Sequence, residues 1–395
     1  MWAVEGSDRH PARVYCTIAA DVMVSAVLKP GRTRIDAFVP YQPDTAPSQR
    51  FRIEQWMPHL AEAGIDVDLR PFANAELTVL LQRPGRTLRK VILTLAGFAR
   101  TARAAAGLPG DRAVLVHRAA CLAGPPIVEK RLRARGHPLL YDFDDAIFRL
   151  HTSASNRAAA WLKQPGKTAT ICRISDHVVV GNSYLADWTR QHNPAVTVIP
   201  TSIDTDRCRP RPAGEANQRL VVGWTGSATS QTYLEAFVPL LRAVTGSRPV
   251  ELRVLSTREP VLPGVPHTWR LWSPGTEAAE VAAFDIGIMP MPDEEWARGK
   301  CALKALQYMA AAVPTVASAI GANREVIEHG RDGLLPSTEE EWLQCITRLV
   351  DDPDLRRQIG LAGRRTVEER YSMRRSAAEL ERVIREVVSR RQERS

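Results

Sequence analysis

Short apolar runs alternating with helical patterns constrain this chain more than any other feature. IDAFVP precedes a helical pattern over residues 53–63, AVLVH precedes one around 127–134, PLLYDF precedes helical patterns reaching 174, HVVVG precedes one over 184–192, and VTVIP closes the series. Strands buried on both faces read as near-continuous Val/Ile/Leu runs, and a helical crossover between successive strands makes them parallel. The series restarts at LVVGW, with a helix over 233–244, the strand ELRVLS, a helix over 277–284, the strand DIGIMP, a helix over 301–312, TVAS and a helix over 342–350. The expected fold class is α/β, two doubly wound domains in tandem, with ligand in the cleft outside the carboxyl ends of the strands.

The pattern sets the expected boundaries. Residues 1–34 form an extension of uncertain structure, 35–206 a first domain, the Pro-rich polar stretch 207–219 a linker, and 220–371 a second domain. Residues 372–395 space Met373, Ala377, Leu380, Val383, Ile384 and Val387 at helical intervals, the pattern of an amphipathic helix that packs back on the body.

Charge enters through its location. The chain carries 53 Lys+Arg against 44 Asp+Glu, a net +9. Between positions 83 and 135, twelve cationic residues face only Asp111 and Glu129, a net +10, so the rest is close to neutral. A uniformly basic surface for nucleic acid is not expected. The local excess includes the amphipathic run RTLRKVILTLAGFARTAR, and an anionic membrane surface or a phosphorylated acceptor is the expected partner of residues 83–135. The six cysteines are scattered without metal-ligand or redox spacing, which predicts reduced thiols and no metal site. No stretch reaches the ~20 apolar residues that cross a bilayer, and acids precede the first apolar run, so a cytoplasmic location, peripheral at most on the inner membrane face, is expected.

The block DIGIMPMPDEEWARGKCALKALQYMAAAVPTVASAIGANREVIEHGRDG, from Asp285 to Gly333, is the densest in chemistry. A buried strand ends at Pro290, a polar loop follows, and a helix is predicted from near Lys300, with Lys300 and Lys304 one turn apart on one face. Two ammonium groups beside unpaired helix N–H donors suit a diphosphate; two solvated lysines at a helix entry are the plain alternative.

This block resembles the donor-binding half of retaining glycosyltransferases of the GT-B fold, family 4. The likeness rests on GKC followed by K-x-LQYMA, then PTVAS, G-x-N-x-E-V-I and a closing G-x-x-G-L. VVGWTGSATSQTYL, PSQRFRIEQWMPHLAEAGIDV, LLYDFDDAIF, HVVVGNSYLADW and VTVIPTSID are similar to further pieces of that family in the same order, so the resemblance covers residues 35–371. It implies two Rossmann-like domains facing a cleft, an acceptor-binding first half and a donor-binding second half. It also implies a nucleotide sugar (UDP-, GDP- or another) as substrate, no required cofactor, and transfer to a hydroxyl acceptor, lipid-linked or phosphorylated, in glycan, glycolipid or glycosylated-metabolite synthesis.

On the donor side the resemblance implies a loop of Gly223, Trp224, Thr225, Gly226 and Ser227 near the diphosphate, with Lys300, Lys304 and Arg298 supplying charge and Glu325 starting a helix nearby. The family's paired glutamates fall on Gly299 and Gln307; the Gln307 amide still suits a ribose edge. Asp144 and Asp145, at a strand end beside Asp142, have two readings: orienting acceptor or sugar near the reacting carbon, or capping the helix that would contain Ile147. Ser48, Arg50, Arg52, His117 and Arg118 are acceptor-side candidates, with Arg50 and Arg52 reaching phosphate or standing solvated. Asp144, Asp145 and Lys300 are the candidate catalytic residues, with no protein nucleophile and no metal. The departures at Gly299 and Gln307 keep a noncatalytic sugar-nucleotide binder open, and the architecture also serves epimerases and phosphorylases. A dinucleotide dehydrogenase is disfavoured, since no G-x-G-x-x-G follows Ile35 or Val221.

Overall fold

The structure is a computed structural model that describes residues 32–81, 85–149, 164–212, 214–215 and 217–393. Most of the expected 1–34 extension lies outside these residues; the first strand takes in Thr33 and Arg34, and Arg32 pairs with Asp66.

Six strands form the first sheet: β1 (Thr33–Val39), β2 (Ile65–Pro71), β3 (Ala113–His117), β4 (Leu139–Phe143), β5 (His177–Val180) and β6 (Val196–Val198). All pairs are parallel, in the order β2-β1-β3-β4-β5-β6. Its helices are α1 (Pro47–Arg52), α2 (Met57–Glu62), α3 (Ala75–Leu81), α4 (Thr87–Ala106), α5 (Ile127–Ala134), α6 (Lys167–Ile174) and α7 (Ser183–Arg190). The second sheet holds β7 (Leu220–Gly226), β8 (Val250–Ser256), β9 (His267–Leu271), β10 (Ile286–Met289) and β11 (Thr315–Ala317), also parallel, in the order β11-β10-β7-β8-β9. Helices α8 (Ala228–Glu235), α9 (Val238–Ser247), α10 (Glu277–Ala282), α11 (Glu295–Arg298), α12 (Leu303–Ala310), α13 (Asn323–Val326), α14 (Glu339–Asp351), α15 (Pro353–Arg370) and α16 (Met373–Gln392) complete the described chain.

The double burial is visible residue by residue. Phe38, Val114, Val116, Leu139, Tyr141, Phe143, Val178 and Val180 face one core, while Ile35, Ala37, Val39, Leu115, Leu140 and Val179 face the other. That is the two-residue alternation of a strand with both faces apolar. The second core of the first sheet is closed by α16, which returns Met373, Ala377, Leu380, Val383, Ile384 and Val387 to it. Each large aliphatic side chain buried there is worth roughly 1.5–3 kcal/mol, enough to dock a helix otherwise rich in charge. The chain therefore crosses between the halves twice, and the crossings touch: the Ile203 amide donates to Tyr371 O and the Met373 amide to Ile203 O.

Helix boundaries differ from expectation where local chemistry intervenes. The pattern over 53–63 is split into α1, a single 3-10 turn (Glu54–Trp56) and α2, with Pro at the start of both α-helices. The pattern over 233–244 is split between α8 and α9, where Pro239 opens α9. Residues 144–149 form turns and no helix, so Asp144 and Asp145 cap nothing there; residues 150–163 lie outside the described residues. The expected linker packs on the second half, where Arg211 and Asn217 both bind Asp285.

In each sheet the strand order reverses once, between β1 and β3 in the first and between β7 and β10 in the second. Loops leaving a reversal diverge and open a crevice at the carboxyl ends of the strands. In the first crevice lies the most deeply buried ion pair of the chain's described residues, Arg52 with Asp142, at 0% and 2% side-chain exposure. Removing one partner strands the other charge in a dry site, so Arg52→Met is expected to cost about 3–5 kcal/mol in denaturant unfolding. Arg89→Met, which breaks the exposed Arg89–Glu76 pair, is expected to cost no more than ~1 kcal/mol in the same measurement.

Candidate active site at the facing strand ends

Three carboxylates follow one another at the end of β4, and every one is met by a cation. Asp142 is fully inside, where burial pushes its carboxyl up; Arg52 and His117 more than offset this, and it stays below the usual carboxylate range. His117, the last residue of β3, places Nδ1 2.7 Å from Asp142 Oδ2 and Nε2 3.0 Å from Ser48 Oγ. Asp142 can only accept, so Nδ1 donates to it. Ser48 Oγ then donates to Asp144 Oδ1 at 2.6 Å. Asp142, His117 and Ser48 stand in the hydrogen-bonded order of a nucleophile triad, but the serine proton is directed to an anion and not to the imidazole, which makes Ser48 a positioning group.

Asp144 and Asp145 share Arg118. Its Nε and Nη2 reach Asp144 Oδ1 at 2.9 and 2.7 Å, and Nη2 reaches Asp145 Oδ2 at 2.5 Å. Burial opposes the Asp144 charge, yet Arg118 first, then His117 and Arg52, hold its carboxyl far below the ordinary value. Arg118 adopts φ of +59°, a left-handed conformation uncommon for a side-chain-bearing residue, to make these contacts. From the second half, Lys300 Nζ approaches Asp145 Oδ1 at 3.4 Å and lies 5.3 Å from the Trp296 ring centre.

Residues 298–301 dock on the first half directly. Asn182, which caps α7 by accepting from the Leu185 amide, donates from Nδ2 to Lys300 O at 3.0 Å. Cys301 Sγ donates to Asp144 O at 3.2 Å. A side chain at Gly299 would stand 2.6 Å from Ala146 Cβ and 2.8 Å from its backbone nitrogen, and one at Gly181 would overlap Cys301 Sγ. Gly299 is therefore the residue that this approach permits. Glu325, at the start of α13, accepts from the Ser183 hydroxyl and adds a further link between the halves.

Several sequence expectations are corrected. Lys300 precedes α12 and Lys304 lies within it, so the two are not on one helix face; Ala302 at φ of +53° turns the chain between them. Gly223, Trp224 and Thr225 belong to β7 and not to a loop: Gly223 packs on the Phe284 ring, the Thr225 amide donates to Tyr308 Oη at 3.0 Å, and Trp224 is fully buried. Gly226, where a side chain would strike the Trp224 ring, is the last residue of β7, so of the five only Ser227 lies outside the strand, at the N-cap of α8. Arg50 and Arg52 are neither solvated nor open to phosphate, because Arg50 is buried against Glu277 of α10 and Arg52 against Asp142. Arg298 stands exposed and paired with Asp293. Gln307 is buried on α12, three residues beyond Lys304.

The Lys304 ammonium lies 4.8 Å from the Trp224 ring centre and forms no ion pair among the described residues. Burial first, and the Lys300 charge second, pull it down to about 7. Trp224 Nε1 is itself buried without a hydrogen-bond partner. An underpaired cation and an unpaired donor thus lie together at the β7 end of the second crevice. Among the described residues, no three His, Cys, Asp or Glu side chains are grouped to hold a metal ion.

The chain superimposes on the sucrose-phosphate synthase of Thermosynechococcus elongatus with a TM-score of 0.68 at 16% identity, over 91% of this chain and 100% of that one. On Anabaena HepE in complex with UDP-glucose the score is 0.62 at 16% identity, over 90% and 100%. The fold is GT-B. Residues 222–352 match the family described as glycosyl transferases group 1, a match confined to the half that carries Lys300 and Lys304. The MMP alpha-(1->4)-mannosyltransferase of Mycolicibacterium hassiacum is 28% identical over 212 residues, which cover 49% of each chain. The chain thus spans about half the length of this curated relative.

Sequence reasoning named Ser48, His117, Arg118, Asp144, Asp145 and Lys300, which the GT-B cleft brings into one connected cluster. It missed Asn182, Glu277 and the thiol contact of Cys301 with Asp144 O. The Asn182 cap was readable from GNS after a strand, but its second bond, to Lys300 O, joins residues 118 apart in the chain. For Lys304 the folded pKa lies below the unfolded 10.5, so between about 7 and 10.5 the unfolded chain holds more protons and stability rises with pH. Lys304→Met is expected to raise the melting temperature most below about pH 7, with the gain fading toward pH 10.5, in melts run across that range.

Proposed function

We propose that this chain is a nucleotide-sugar-dependent glycosyltransferase that moves a sugar to an acceptor hydroxyl with retention at the anomeric carbon and without a metal. The observation that carries the reading is Lys304: a half-buried ammonium with no carboxylate partner among the described residues, at the crevice of the second sheet, calls for an anionic ligand. The match of residues 222–352 to the glycosyl transferases group 1 family and the UDP-glucose complex of HepE make a nucleoside diphosphate sugar the fitting anion.

In this reading Lys304 and Lys300 hold the diphosphate and stabilise its charge as the glycosidic bond breaks. The Trp224 indole supports Lys304 from below, and the backbone of Gly226 and Ser227 gives the phosphates close access. Gln307 and Glu325 are assigned to the nucleoside side and Arg298 to the mouth. Asp144 and Asp145 orient the acceptor hydroxyl or the transferred sugar, with Arg118, Ser48 and His117 fixing their position. The acceptor oxygen bonds to the anomeric carbon on the face the diphosphate leaves, and the hydroxyl proton passes to the departing phosphate oxygen. The acceptor is taken to be lipid-linked or phosphorylated.

Lys300→Ala is expected to lower kcat/KM for the donor about tenfold to a hundredfold, the worth of one charge-assisted contact. Thermal-shift measurements with UDP, GDP, ADP and their sugars identify the donor; no stabilisation by any of them sinks the proposal. Release of free nucleoside diphosphate only when acceptor is present separates a transferase from an epimerase, and donor binding without turnover in any acceptor mixture marks a noncatalytic binder. Because an anion favours charged Lys304, nucleotide binding should take up a proton above about pH 7, read as a buffer-dependent heat in calorimetry and absent in Lys304→Met.

A further inference from the structure

Helix α4 has two faces, and only one is accounted for. Gly97, Thr101 and Ala105 are buried, Gly97 so closely on Phe72 that a side chain there would meet the ring at 2.9 Å. The opposite face carries Leu88, Val91, Ile92 and Leu95 at 75%, 48%, 48% and 61% exposure. These positions are spaced i, i+3, i+4 and i+7, so they form one stripe, which exposed Ala99 and Ala106 extend to the end of the helix. Of the nine large apolar side chains exposed among the described residues, four are in this stripe. Single exposed leucines are ordinary, but a contiguous stripe marks a contact surface.

The charge around the stripe selects its occupant. α4 contains no acidic residue, and Arg86, Arg89, Arg100 and Arg103 border the stripe. Arg89 spends part of its charge on Glu76, and Arg100 donates to Phe72 O, which leaves that guanidinium charge uncompensated. The face belongs to the stretch that holds ten net positive charges, of which Arg83 lies outside the described residues. A second copy of this helix would bring arginine against arginine. An anionic lipid surface offers both hydrocarbon for the stripe and counter-charge for its border. With 20 residues α4 is about 30 Å long, and no described helix is long and apolar enough to span a bilayer, so it would lie in the plane of the interface.

We propose that α4 docks the protein on anionic lipid headgroups, with Leu88, Val91, Ile92 and Leu95 entering the acyl boundary and Arg86, Arg89, Arg100 and Arg103 meeting phosphate. This stands apart from the transferase reading, because its readout needs neither donor nor acceptor. The full chain is sedimented with vesicles of phosphatidylcholine alone and of equal parts phosphatidylcholine and phosphatidylglycerol. Pelleting with the anionic vesicles only, reversed by salt, is expected. Ile92→Asp combined with Leu95→Asp should weaken it by about tenfold or more with an unchanged melting temperature. Arg86→Glu combined with Arg103→Glu should weaken it at low salt. Equal pelleting with both vesicle types, or wild-type pelleting by either double variant, overturns the proposal. So does a dimer that the Ile92→Asp and Leu95→Asp changes dissociate, which would make the stripe a self-association face.

Discussion

Three carboxylates within four residues, Asp142, Asp144 and Asp145, cannot be partly buried at one strand end unless positive charge is brought to them. The chain meets that constraint with three cations, Arg52 from α1, Arg118 from the turn after β3 and Lys300 from the second half, and with the His117 imidazole on Asp142. Each cation comes from a different part of the sequence, so neutralising the cluster also fixes where those parts lie. The turn after β3 accepts a left-handed Arg118 for this purpose, a conformation that costs on the order of 1 kcal/mol or more. Like charges so close would otherwise drive one carboxyl to protonate.

The same requirement shapes the contact between the halves. Lys300 reaches Asp145 only because residues 298–301 press onto the ends of β4 and β5, and they can do so because Gly299 and Gly181 have no side chains to obstruct Ala146 and Cys301. The position of Gly299 is therefore taken up by contact with the other half, which leaves no room for a side chain there. Buried Arg50–Glu277, the Ser183–Glu325 bond and the paired crossings at Ile203 and Ser372 close the remaining joint. Function is proposed here because the Lys304 ammonium lies half-buried without an ion pair among the described residues, beside an indole whose N–H has no partner.

The double series of parallel strands was legible because burial on both faces writes itself into composition: a strand such as HVVV or IGIM has no other soluble use. So was α16, whose stripe of Met, Leu, Val and Ile appears at helical spacing. The ends of elements were less legible. Prolines at 47, 58 and 239 reset helices inside apolar patterns that looked continuous, and β7 runs on through Gly223 and Gly226 because packing on Phe284 and Trp224 demands residues without side chains there.

By itself, the sequence determined the two-domain α/β architecture, the order of its strands along the chain, the local excess of charge, and the presence of a basic, glycine-broken segment before α12. These are set by composition and spacing within a few turns of chain. Only the tertiary structure decided which charges are spent and which are free. Arg50 and Arg52 read in sequence as phosphate ligands or solvated cations and are interior pairs, whereas of the two lysines the sequence offers to a diphosphate, Lys300 is paired with Asp145 and Lys304 is pulled down by burial without a carboxylate partner. The physical reason is that a charge's partner and its dielectric surroundings depend on residues brought close by folding from a hundred or more positions away, and spacing along the chain carries no record of that distance.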